Sequence, residues 1–76
     1  MAKSDMKKLE VLLQHWVEHN REHSGEFREW AEKAGALGHT EVRDEILRAV
    51  EQMDKANASL LRALERLQIG VTQFAG

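Results

Sequence analysis

Leu9-Glu10-Val11-Leu12-Leu13-Gln14-His15-Trp16-Val17-Glu18-His19-Asn20-Arg21-Glu22-His23-Ser24-Gly25-Glu26-Phe27-Arg28-Glu29-Trp30-Ala31-Glu32-Lys33-Ala34 is the stretch that decides the fold. Its core positions return as Leu9, Leu13, Trp16, Asn20, His23, Phe27, Trp30 and Ala34, stepping alternately by four and three. That rhythm is a helical heptad, with one face turned toward a partner helix. The heptad predicts a helix over about 5–34 with Ser4 as its N-cap and these eight positions as its core. Ser24-Gly25 could break it, because an interior Gly costs about 1 kcal/mol relative to Ala. The period passes through that pair without a phase shift, so the helix is expected to be continuous.

Outward from this segment, Gly35-Ala36-Leu37-Gly38-His39 reads as a connection, with a Gly available for a left-handed C-cap. A second heptad follows: Val42, Ile46, Ala49, Met53, Ala56, Leu60, Ala63 and Leu67. It predicts a helix over about 40–69, capped by Thr40 and stopped by Gly70, with residues 70–76 as a frayed tail. A loop of 35–39 forces the two helices antiparallel, and residues whose numbers sum to about 76 should share a height. The fold class is therefore all-α, a single helical-hairpin domain over 1–76. Leu47, Val50, Leu61 and Leu64 form a further stripe on the second helix. It predicts a homodimer, a four-helix bundle of two hairpins, or docking of another helical protein.

Composition agrees and narrows the function. The chain has 76 residues, no Cys, no Pro and abundant helix formers. Without Cys there is neither a disulfide nor a thiolate metal site. Net charge is −2 and evenly spread, leaving no basic footprint for nucleic acid. No apolar run approaches the roughly 18–20 residues that span a membrane, and no signal-peptide core follows Met1-Ala2-Lys3, which points to the cytoplasm. Neither a nucleophile-and-base set nor a phosphate-cradling Gly loop is present, so no enzyme is expected.

The chemically pointed feature is a ladder, His-x-x-Glu three times without a gap over residues 15–26. Helical spacing stacks His15, His19 and His23 in one column and Glu18, Glu22 and Glu26 in the next. Neutral imidazoles four apart can share a Zn, Ni, Co or Cu ion, joined by a carboxylate. His19, His23 and Glu26 make the best triplet, because His23 is placed in the seam; His15, Glu22 and Asp54 are further candidates. The height rule gathers His19, Asn20, His23, Asp54 and Asn57 into one polar layer. Two readings stay open: a layer that fixes register and pairing, as buried Asn does in coiled coils, or a transition-metal site for sensing, storage or delivery.

The stretch His15-Trp16-x-Glu18-His19-Asn20-x-x-His23, continued by Phe27-x-x-Trp30-Ala31-Glu32-Lys33-Ala34, resembles small prokaryotic helical domains of uncharacterised function. The resemblance implies a helical hairpin and assigns no activity.

Overall fold

The structure, a computed structural model, describes residues 3–75, with side chains from Ser4 to Ile69. It is all-helical: α1 (Lys3–Ala36) and α2 (Thr40–Ala75) lie antiparallel in a hairpin 57 Å long and 16 Å thick. α1 runs unbroken through Ser24-Gly25. A Cβ placed on Gly25 would meet nothing within 4 Å, so no packing demand explains that glycine.

Backbone chemistry sets the turn. Gly38 adopts φ +89°, and it is the only described residue with a positive φ. His39 N–H donates to Ala34 C=O at 2.9 Å, and Gly38 N–H donates to Gly35 C=O at 3.0 Å. These two bonds form a Schellman motif with Gly38 at the left-handed position. Arg43 N–H then donates to His39 C=O at 3.0 Å. His39 therefore holds the N-cap position expected for Thr40, which is the first helical residue. Three other boundaries move as well. α1 begins at Lys3, so Ser4 lies inside its first turn, and it continues to Ala36. α2 passes Gly70 and ends at Ala75. A single Gly weakens a helix by only about 1 kcal/mol, and no Pro follows to enforce a stop.

The interhelical seam is rotated from its expected place. Leu13, Val17, Ala31 and Val50 are the buried apolar residues, joined by buried Ser24 and Asn57. On α1 the seam therefore reads Leu13, Val17, Asn20, Ser24, Phe27, Ala31, Ala34; on α2 it reads Ile46, Val50, Met53, Asn57, Leu60, Leu64, Leu67. Half of each expected set survives. Leu13, Asn20, Phe27 and Ala34 stay, but Trp16, His23 and Trp30 give way to Val17, Ser24 and Ala31. On α2, Ala49, Ala56 and Ala63 give way to Val50, Asn57 and Leu64. Trp16 and Trp30 are 41% and 57% exposed rather than core.

The reason is steric. Helices pack with axes about 8–10 Å apart, and two indoles do not fit between them at that distance. Val, Ser and Ala do, so the wide row is turned to the flank. Val50 and Leu64, expected on an outer stripe, are consumed by the seam, while Leu47 and Leu61 remain exposed.

Candidate functional site

The middle of the seam is polar and closed. Asn20 Nδ2 donates to Asn57 Oδ1 at 2.9 Å, and Asn57 Nδ2 donates to the Val17 carbonyl at 3.0 Å. One turn away, Ser24 Oγ donates to Asp54 Oδ1 at 3.0 Å, and Arg28 donates to Asp54 Oδ2 at 2.8 Å. Among the described residues no buried side-chain polar atom lacks a partner. Asn20 with Asn57 and Ser24 with Asp54 obey the height rule to within about two residues. The layer differs from expectation in its members. Asp54 is engaged by Ser24 and Arg28 rather than by histidine, which leaves its oxygens committed elsewhere.

The histidines stand beside the seam. His23 is half-exposed and occupies the flank next to Ser24. Its Nε2 lies 3.0 Å from His19 Nε2, with the two rings perpendicular and their centroids 4.4 Å apart. His15 stacks on His19 at 5.8 Å, so the column expected from the sequence is present. Glu26 reaches the opposite nitrogen of His23, with Oε2 3.9 Å from Nδ1. The expected triplet is thus split: two imidazole nitrogens face each other, and the carboxylate sits behind one of them. Glu22 is exposed on the outer side of α1. No group of three or more His, Asp or Glu that could hold a metal occurs among the described residues.

Rotation of the seam gives the hairpin two unlike long faces. Residues seven apart share a row on these helices. The Arg28–Asp54 pair joins the row Gln14, Arg21, Arg28 of α1 to the row Leu47, Asp54, Leu61 of α2 on one face. The pair is exposed and so contributes little to stability. On the other face Leu9, Trp16, His23 and Trp30 run beside Val42, Ala49, Ala56 and Ala63. A shallow hollow marks that face, lined by His23, Phe27, Trp30, Ile46 and Ala49, with Glu26 and Glu45 at its edge. Lys33 Nζ lies 4.2 Å from the centroid of the Trp30 ring, a cation–π contact that covers part of the indole. Sequence reasoning found the tryptophans but placed them in the core. The signal it lacked was the width of the contact, which admits only the small row.

Residues 9–67 match the family described as Domain of unknown function (DUF8180). The chain belongs to that family. The matched span takes in most of both helices and the connection between them. An uncharacterized protein of Archaeoglobus fulgidus is 37% identical over 60 residues, covering 79% of this chain and 95% of that protein. The 60 matched residues are nearly all of that archaeal protein, which is therefore shorter than this chain, in agreement with the small prokaryotic domain expected from the sequence. No solved structure matches the chain. No described helix is long and apolar enough to cross a membrane.

Proposed function

We propose that this chain is a non-enzymatic association module, a helical hairpin that pairs with a second copy of itself to build a four-helix bundle. The carrying observation is the face on which exposed Trp16 and Trp30 run beside the alanines of α2. A compact chain of 8.7 kDa should expose about 4,700 Å², whereas the hairpin exposes 6051 Å². The excess of about 1,300 Å² per chain exceeds the roughly 800 Å² that each partner of a standard interface buries.

Self-pairing is favoured over a foreign helix by the pattern of that face. Its α1 row is large and its α2 row is small. Trp30, His23 and Trp16 stand level with Ala49, Ala56 and Ala63. A two-fold axis parallel to the helices lays the large row of each copy over the small row of its partner at unchanged height, as interdigitated packing requires. Both loops then lie at one end. The opposite face, with Arg21, Arg28 and Asp54, stays in water.

Tryptophan quenching tests this face directly, because both indoles of the chain lie on it. At high protein concentration, iodide and acrylamide should quench weakly; on dilution, quenching should rise toward that of an exposed indole. Strong quenching at every concentration would exclude the Trp face from any association.

A further inference from the structure

We infer that in the single hairpin His19 and His23 chelate one divalent transition-metal ion through their two Nε2 atoms, with Glu26 behind His23; because His23 also stands in the row proposed to pair, metal and partner compete for it. The inference starts from the distance of 3.0 Å between those nitrogens. With no metal bound, two neutral imidazoles hold such a contact by sharing a proton, one nitrogen donating and the other accepting. Glu26 stands behind His23, with Oε2 3.9 Å from Nδ1, a separation too long for a hydrogen bond but on the side where an Nδ1 proton would be carried. Metal binding requires that both Nε2 atoms present their lone pairs to the ion, with each ring's proton carried on Nδ1.

A chelate that kept this separation would favour one coordination geometry over another. With metal–nitrogen bonds of about 2.0–2.1 Å, nitrogens 3.0 Å apart subtend an angle of about 94° at the ion. Tetrahedral zinc wants about 109°, which would hold the nitrogens about 3.3 Å apart. Cis positions of a square-planar or tetragonal centre want a right angle, the preference of Cu(II) and Ni(II). The remaining positions are filled by water, since no third protein donor faces the pair. In the single hairpin His19 is exposed and His23 half-exposed, so an ion reaches both without the helices moving.

His15 and Glu26 separate this chelate from a diffuse ladder. His15 contacts His19 by ring stacking and brings no nitrogen to the pair. Tag-free protein should be titrated with CuCl2, NiCl2, ZnCl2 and MgCl2, following heat and, for copper, the visible absorption of a nitrogen-ligated ion. The expected result is one ion per chain, bound in the order copper, nickel, zinc, with magnesium silent. H19Q and H23Q should each fall to the level of the H19Q/H23Q double variant, H15Q should match wild type, and E26Q should weaken binding by roughly tenfold. All four positions are on the helix exterior, and circular dichroism would verify that the variants remain helical. Absence of binding in wild type would overturn the inference, as would equal losses from H15Q and H23Q. Complete loss in E26Q would make Glu26 a direct ligand and overturn the two-nitrogen chelate, and zinc binding tighter than copper would overturn the right-angled geometry.

Discussion

Trp16→Glu combined with Trp30→Glu is expected to dissociate the proposed bundle at concentrations where the wild type is fully paired. Buried tryptophans at interface centres commonly carry 2 kcal/mol or more each, and a two-fold interface counts every substitution twice. A single Trp→Glu change therefore removes about 4 kcal/mol from pairing, on the order of a thousandfold in the dissociation constant. The double change goes further, because it also sets carboxylates against the apolar alanine row. Both positions are exposed in the isolated hairpin, so the fold itself loses little. Leu61→Glu, on the opposite face in the same row as Asp54, should leave pairing within about threefold of wild type. Sedimentation equilibrium of the three proteins checks both statements. Dissociation by Leu61→Glu with none from the tryptophan changes would place the interface on the charged face.

Asn57→Ala is expected to cost about 2–3 kcal/mol of folding stability. Asn57 is 7% exposed and makes two hydrogen bonds across the seam, and its removal leaves the Asn20 amide facing a gap. Each such bond contributes about 1 kcal/mol net, and an orphaned buried donor costs about 1–3 kcal/mol more where water cannot reach it. In a chain of this size the loss corresponds to a Tm lower by roughly 10–20 °C. Replacing both members, as Asn20→Leu with Asn57→Leu, should recover most of that stability, because two apolar groups leave nothing unpaired. The double variant should keep the hairpin's register, because the three-residue connection between Ala36 and Thr40 fixes it. Urea denaturation at one fixed protein concentration measures the first effect. A cost below about 0.5 kcal/mol for Asn57→Ala would show that the layer contributes nothing to stability.

The parts of this molecule that follow from periodicity were legible in the sequence. Two heptads and a glycine-bounded connection specify the antiparallel hairpin, and the height rule gathers Asn20, Asp54 and Asn57 into one layer with His19 and His23. The phase within each heptad was not legible. Leu13, Asn20, Phe27 and Ala34 satisfy two neighbouring seams equally, one completed by Trp16, His23 and Trp30, the other by Val17, Ser24 and Ala31. Hydrophobicity chooses the first seam, and the space between two helix axes chooses the second.

The candidate site follows from that choice. With His23 turned to the flank, the histidine column is real but faces solvent, and Asp54 meets Ser24 and Arg28 instead of an imidazole. Nothing in residue spacing could reveal that Glu26 reaches Nδ1 while His19 reaches Nε2, because that depends on side-chain torsions. The same rotation turns the tryptophans from core residues into the most conspicuous part of the surface.

The central claim is that the tryptophan face is covered by a second copy, and the solution mass tests it most directly. Light scattering coupled to gel filtration at micromolar concentration should report about 17.4 kDa, twice the chain mass of 8.7 kDa. A folded species of 8.7 kDa, unchanged as concentration rises, would contradict it.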